Sequence, residues 1–497
     1  MLSNAADKAS PGNCEGACDI SSHRSSSLWI WAIVAVGAAL RLVALGHKSF
    51  WLDEIASVAI ARRAAPVFWH ILWYDEGNMM LYYALLRPWG HLGYGEGMVR
   101  TLSVVPGVLS IPLMYVLGKR LFGAKTGIVS ALLLALNPCA IGASQEARAY
   151  SFLVLAVLLS TYLFVLLIER PSYKLTWGYA IVAGMTCYFH YFGVLVPVAQ
   201  AVSLVAVPEN RRPWKPLLLA AAIIAVTASP IVWQIHAQDI GHISWVLPPS
   251  LLELYHLGVF LAASGGKAAG AALLALYLVM LGFFVAKFVA LGREPKDELR
   301  RWRYTLVASA LVSPVVITLL ISIVRPVFYH RFLIICLPAW VLMAAVGITH
   351  IRSRAWRRST GAAIFALSLV CTIILYRHVT EDWRGAVSYL IANASPDDRV
   401  LYYQSVGQYA GEGYRDWLPG GNDARPAVVA ADPASMEWKS EIHHARWVWL
   451  VLYRAGPNDS GSQTIERQLD KKYQHCEEKK FRGVTVVKYS QGSVVPL

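Results

Sequence analysis

The stretch Lys48 to Val58 (KSFWLDEIASV) begins just past the first long apolar run of the chain and holds two adjacent carboxylates, Asp53 and Glu54. Acids are costly to keep beside a membrane face, so a pair of them there calls for a functional reading. They belong to a segment, 46–97, that is too long for a simple connector, and long ordered loops of this kind often carry function. The same segment holds Asp75, Glu76 and Glu96 among Trp51, Trp69, Trp73, Tyr74, Tyr82, Tyr83 and Trp89. Amphipathic pieces at 54–63 and 78–90 are expected to lie flat at the interface, with rings at headgroup depth and acids facing a cavity; the plainer alternative is an aromatic belt with solvated acids.

The elements that must position these acids are set by composition. The chain is 56% hydrophobic and 15% charged, with a mean hydropathy of +0.45, which places it among polytopic membrane proteins. Crossing a hydrocarbon core of about 30 Å takes about 20 helical residues. Apolar runs of that order lie at 28–45, 98–118, 126–143, 149–168, 177–207, 216–235, 268–291, 304–324, 331–349 and 360–378. The run at 177–207 is too long for one span, and His190 with Gly193 near its middle predicts two shorter helices meeting at an angle, for about eleven helical pieces in all.

Short loops that stay in the cytoplasm retain lysine and arginine. Five basic loops hold Lys119, Arg120 and Lys125; Arg170 and Lys174; Arg211, Arg212 and Lys215; Arg293, Lys296, Arg300, Arg301 and Arg303; and Arg352, Arg354, Arg357 and Arg358. If 177–207 enters and returns on one side, all five are cytoplasmic, and Asp53 lies outside together with the C-terminal region. The formal charge of +14 resides in the membrane half, because residues 380–497 carry 14 basic against 15 acidic side chains. Topology accounts for the excess, and no nucleic-acid partner is implied.

Cys139, Cys187, Cys336 and Cys371 fall in apolar helices and Cys476 stands alone outside, so no structural disulfide is expected. Cys14 and Cys18 sit in a Ser-rich stretch without a second ligand pair, and residues 1–27 read as a disordered cytoplasmic tail ahead of an uncleaved anchor at 28–45. From Glu381 onward the pattern changes to short apolar strands at 399–403, 447–452 and 484–489, alternating with helices at 382–393 and 462–473. This predicts a small α/β domain over 380–497 behind a membrane domain over 28–379. No glycine-rich nucleotide motif appears.

Several motifs in order along nearly the whole chain resemble one family. They are FWLDEI at 50–55, NMMLYYALLRPW at 78–89, VRTLSVVPGVLSIPLMYVLGKRLFG at 99–123, SQEARAYSFLVL at 144–155, YFHYFG at 188–193, RPVFYHRFLIICLPAW at 325–340 and EDWRGAVSYL at 381–390. Together they resemble the polytopic GT-C glycosyltransferases, in particular the bacterial branch related to protein O-mannosyltransferases and lipid A aminoarabinose transferases.

The resemblance implies transfer of a hexosyl or pentosyl unit from a polyprenyl-phosphate carrier, without a nucleotide sugar, to a lipid, glycan or protein acceptor at the outer face of the inner membrane. Asp53 matches the family's catalytic carboxylate. A base is needed there because the acceptor hydroxyl must lose its proton as it attacks the anomeric carbon, while phosphate, already a good leaving group, needs no acid. Glu54 is placed beside it, to orient the acceptor, to raise its basicity or to cap the helix that follows. Positive charge for the departing phosphate is expected from Arg331, with His330 and Arg325 in the same short basic outer loop, and from Arg148; the alternative for Arg331 is a snorkelling side chain. Glu146 matches the family's second outer-loop acid, where relatives tend to have aspartate. Glu76 and His190 complete the candidates, His190 with the plainer alternative of a bond to a backbone carbonyl. A divalent cation is possible but has no defined ligand set, since Asn78, Met79 and Met80 stand where relatives carry His or Pro. A transporter or lipid flippase is the rival reading, disfavoured because the distinctive acids lie in loops and no repeated halves are visible.

Overall fold

A computed structural model describes residues 15–237, 245–291, 298–418, 426–433, 437–443, 445–456 and 459–491, the side chains at 15–27, 237 and 298 excepted. Among the described residues, seven helices are long and apolar enough to cross a membrane, or eight with a bent pair counted as one span. The expected spans appear as Glu96–Phe122, Tyr150–Glu169, Trp214–Ala237, Lys267–Leu291, Glu298–Val324 and Arg354–Arg377, and as a 3-10 segment, His330–Cys336, running into Leu337–His350. The run at 177–207 is a hairpin. Tyr173–Phe189 ends at His190, a 3-10 turn covers Tyr191–Val194, and Leu195–Ser203 returns. A Cβ on Gly193 would stand 2.2 Å from the Thr186 carbonyl oxygen, so the two arms can approach this closely only at glycine.

Three features depart from expectation. The first helix runs over Glu15–Leu42, so the stretch read as a disordered tail is helical from Glu15. No glycine or proline interrupts it between Gly16 and Gly37, and extending a formed helix needs no new nucleus. Cys14 lies outside the described residues, as does the Cys18 side chain. The run at 126–143 is broken into Ala124–Leu136 and Pro138–Ser144, bent by 57°. Pro138 lacks the N–H that would continue the ladder, and Asn137 caps the second piece by accepting from Ala140 N–H at 2.9 Å. Arg41, wholly buried, donates to the carbonyls of Leu134 and Ala135 that the break leaves open. A further helix, Leu251–Ala263, is interrupted in the sequence by Glu253 and His256.

The C-terminal region is a five-stranded sheet of order β2-β1-β3-β5-β4, formed by β1 (Arg399–Tyr403), β2 (Ala427–Ala431), β3 (Trp447–Tyr453), β4 (Tyr473–Phe481) and β5 (Val484–Gln491). β1 runs parallel to both its neighbours, while β5 is antiparallel to β3 and β4. Side chains alternate between faces. Val400, Tyr402, Trp449, Val451 and Tyr453 point to helices Trp383–Asn393 and Ser405–Arg415 and join the core of the membrane domain. Leu401, Tyr403, Val448, Leu450 and Leu452 pack with Ile465 and Leu469 on the other face. The helix expected at 462–473 is Ser460–Leu469, and Tyr473 already belongs to β4. Cys139, Cys187, Cys336 and Cys371 are buried thiols and Cys476 is an exposed one.

Candidate active site

The site starts from the first turn of helix Leu52–Arg62. Trp51 N–H donates to Glu54 Oε2 at 3.3 Å, closing that turn. Glu54 is wholly buried. Its Oε1 accepts from Arg100 Nε and from Ala147 N–H, both at 2.8 Å, and its Oε2 from Arg100 Nη2 at 2.7 Å. Arg100 also donates to the carbonyls of Leu45, Lys48 and Ser49 at 2.9, 2.9 and 3.1 Å. One ion pair therefore ties the start of the loop, helix Glu96–Phe122 and the turn before Tyr150 together. Paired with Asp53 in the sequence as a catalytic acid, Glu54 instead has both oxygens committed and no surface open to a substrate. Consecutive helical residues do not share a face, so one acid of the pair goes inward and the other outward.

Asp53 is the outward one, 36% exposed. Its Oδ2 lies 3.6 Å from Arg148 Nη2, a loose pair. Arg148 Nη1 donates to Tyr83 Oη at 3.3 Å and to the Asp53 carbonyl at 3.5 Å, while its buried Nε has no protein partner. Two residues earlier, Glu146 forms an ion pair with Arg331. The Arg331 guanidinium lies between the rings of Trp51 and Tyr150, with centroids at 4.9 and 5.3 Å, where a planar cation is well matched. Both arginines feel both acids: Asp53 acts on Arg148 and Arg331, and Glu146 is acted on by each. Desolvation lifts the Glu146 carboxyl above its ordinary value, with Arg331 pulling it down. Asp53, Arg148, Glu146 and Arg331 thus form one electrostatic unit of two acids and two bases.

The remaining candidates divide. Glu76 follows a π turn over Ile71–Asp75 and acts electrostatically on Arg148, Tyr83 and Tyr191, so it borders the unit. Asp75, one residue earlier, is exposed and faces His70 at 3.7 Å. His190 is buried, its Nδ1 accepting from Phe192 N–H at 3.2 Å and its Nε2 without a partner. Its ring packs toward Tyr150 and Phe332, 6.1 and 5.1 Å between centroids, beside the wall that holds Arg331. His330 turns away to Glu253 at 3.7 Å, whose other oxygen lies 3.1 Å from His256 Nδ1. Arg325 is exposed, and among the described residues it forms no ion pair that would join it to the unit. No group of three or more His, Cys, Asp or Glu among the described residues is placed to hold a metal ion.

Sequence reasoning did not assign Tyr83, Trp51 and Tyr150, although each stands inside a quoted motif, Trp51 and Tyr150 two residues from a charged candidate. It also missed Glu381, the first residue of EDWRGAVSYL. That carboxylate is buried and accepts from Leu52 N–H, Trp383 Nε1 and Tyr453 Oη, each at 2.9 Å, and from Arg454 Nη2 at 2.6 Å. Tyr414 Oη accepts from Phe50 N–H at 2.6 Å and donates to Glu96 at 2.9 Å. The C-terminal domain therefore grips the backbone on both sides of Trp51, at Phe50 and at Leu52, the residue before Asp53.

Residues 84–233 match the family model described as dolichyl-phosphate-mannose-protein mannosyltransferase. A search of curated protein sequences gives no significant match. Among solved structures, the chain is similar to ArnT from Cupriavidus metallidurans bound to undecaprenyl phosphate, with a TM-score of 0.62 at 14% identity over 93% of this chain and 98% of that one. It is also similar to the apo state of the same protein, with a TM-score of 0.64 at 13% identity and the same coverage. The archaeal oligosaccharyltransferase AglB from Archaeoglobus fulgidus, in complex with an inhibitory peptide and a dolichol-phosphate, gives 0.51 at 12% identity over 94% and 75%. Motifs, multi-span architecture and C-terminal α/β domain converge with these matches, and the chain has the fold of the GT-C glycosyltransferases.

Proposed function

We propose that the protein is a polyprenyl-phosphate-sugar-dependent glycosyltransferase of the bacterial inner membrane, transferring a sugar to a lipid, glycan or protein acceptor at the outer face. The observation that carries this reading is the unit of Asp53, Arg148, Glu146 and Arg331 on the loop side of a GT-C fold. The arginines suit a lipid-linked phosphate: Arg331 is held flat between two rings, and Arg148 has a buried donor with no protein partner. Asp53 is the exposed acid and serves as general base. The acceptor hydroxyl gives its proton to Asp53 as its oxygen bonds to the anomeric carbon, and the bond from that carbon to the phosphate oxygen breaks with its electron pair going to phosphate.

Two acids already answer the two arginines, so an arriving phosphate competes with them. The 3.6 Å contact between Asp53 and Arg148 is the looser pair. Drawing Arg148 toward phosphate releases the Asp53 carboxylate from that contact and leaves its oxygen free for the acceptor hydroxyl when the donor is in place. Arg41, the charged side chain buried at the helix break, spends its donors on Gly37, Leu134, Ala135 and Ser144, and so offers nothing to a transported solute.

Asp53→Asn tests the assignment. It preserves size and should lower turnover by about 10²- to 10⁴-fold, while binding of a polyprenyl phosphate is retained or tightens, because the charge that competes for Arg148 is gone. Turnover is read by mass spectrometry of envelope lipids, glycans and proteins, and activity within about twofold of the parent would exclude Asp53 as the base.

A further inference from the structure

At the end of the membrane domain remote from Asp53, four of the basic loop residues converge. Arg120, Arg170, Arg211 and Arg303 line an open hollow of about 420 Å³ together with Glu169 and Leu299. Glu169 stands at the last turn of helix Tyr150–Glu169, whose first residue touches Arg331. Twenty residues at 1.5 Å each set the two places about 30 Å apart, so the hollow lies across the bilayer from the candidate active site.

Among the described residues that line it, positive charge exceeds negative: Glu169 is the single acid, and both its oxygens are engaged, Oε2 by Arg120 Nε at 2.6 Å and Oε1 by Arg303 Nη2 at 3.0 Å. Arg170 and Arg211, both exposed, form no ion pair among the described residues, and the buried Arg303 Nε has no hydrogen-bond partner among them. Positive residues collect at this end for topological reasons alone, but topology asks only for charge in the loops. It does not ask four separate segments to bring guanidinium groups round one recess. Aromatic side chains flank the recess in sequence: Tyr173, Trp177 and Trp214 are 69%, 51% and 48% exposed. Exposed tyrosine and tryptophan of this kind sit at headgroup depth, and basic recesses between membrane helices at that depth suit anionic lipid head groups.

We propose that this hollow binds the phosphodiester head group of an anionic phospholipid in the leaflet opposite the candidate active site. Arg170 and Arg211 supply the uncompensated charge, and the Arg120–Glu169–Arg303 bridge forms the floor. The volume falls within the range of small-ligand recesses.

The test uses the full-length protein in mixed micelles, titrated with phosphatidylglycerol or with phosphatidylcholine of the same acyl chains and read by native mass spectrometry. Each charge removed near the surface should weaken anionic binding about fivefold. An Arg170→Gln/Arg211→Gln variant should therefore raise the phosphatidylglycerol dissociation constant by about 25-fold and leave phosphatidylcholine unchanged. Both side chains are exposed and unpaired, so its melting temperature, measured in parallel, should match the parent. Unchanged phosphatidylglycerol binding in the variant overturns the proposal. Full displacement of the lipid by inorganic phosphate at millimolar concentration overturns it too, by showing a site for soluble anions.

Discussion

Glu381 gives the sharpest test of how the C-terminal domain serves the site. The Leu52 N–H that it holds belongs to the residue before Asp53, and the same carboxylate holds Trp383, Tyr453 and Arg454 of the C-terminal region. Glu381→Ala removes the acceptor from the Leu52 N–H and the Trp383 and Tyr453 side chains. A buried donor left without a partner costs about 1 to 3 kcal/mol. Arg454 is 55% exposed and can be resolvated, so the total should stay near the 3 to 5 kcal/mol typical of breaking a buried charged network. The catalytic effect has a different origin. A displacement of about 1 Å in a reacting group can cost about 10²-fold, so freeing the first turn of helix Leu52–Arg62 should lower turnover by about 10- to 100-fold. Polyprenyl-phosphate affinity should hold within about threefold, because Arg148 and Arg331 stand on other segments. Melting temperature in detergent, carrier titration and mass spectrometry of the envelope read the three quantities separately. A variant that melts lower yet turns over within about twofold of the parent would refute the claim that this clamp positions Asp53.

Other expectations follow from the same geometry. Arg331→Ala should raise the dissociation constant for a polyprenyl phosphate about tenfold or more, with Arg331→Lys intermediate because a point charge cannot reproduce a planar contact; titration checks it, and unchanged binding would leave Arg331 a structural partner of Glu146 alone. Glu54→Gln leaves the Arg100 guanidinium buried with no counter-charge, at a cost of about 3 to 5 kcal/mol, so it should depress folded yield and melting temperature, and a variant as stable as the parent would contradict the anchoring role. With the other cysteines replaced, Cys476 should react with an impermeant maleimide in intact spheroplasts; labelling only after the membrane is opened would reverse the proposed orientation.

How much of this was legible in the chain depended on the kind of signal. Long apolar runs announce themselves, and the hairpin at His190 and Gly193 could be read because the run was too long for one span. The break at Asn137 carries a signal that run length alone does not use: Asn137 and Pro138 interrupt the apolar run, and proline cannot continue the helix. β2 and β4 were not read from the sequence. β4 is an outer strand carrying Glu477, Glu478, Lys479 and Lys480, and with neither face buried it shows no alternation of apolar residues. In the site, residue types were legible and partnerships were not. The sequence singled out Asp53 as the base but left Glu54 beside it between orienting the acceptor, raising basicity and capping, until helical rotation turned Glu54 inward to Arg100 and Asp53 outward to Arg148. Arg325, His330 and Arg331 looked like one basic loop, yet they diverge toward solvent, Glu253 and Glu146.

That sorting has a functional logic. A site meant to hold a lipid phosphate must keep arginines in place before the ligand arrives, and a desolvated cation without a counter-charge is expensive to maintain. Pairing each arginine with an acid meets that cost, but tight pairing would then oppose the ligand. The structure grades the pairs instead. Glu54 and Arg100 are locked by two short bonds in the interior and serve the fold; Glu146 and Arg331 are paired where rings restrain the guanidinium; Asp53 and Arg148 touch at 3.6 Å with the acid exposed. The weakest pair contains the proposed base, so the contact that phosphate most readily displaces is also the one whose loss frees the Asp53 carboxylate for an acceptor hydroxyl. In the proposed mechanism, donor binding and release of the base thereby become one event, set by the relative strength of three acid–arginine pairs.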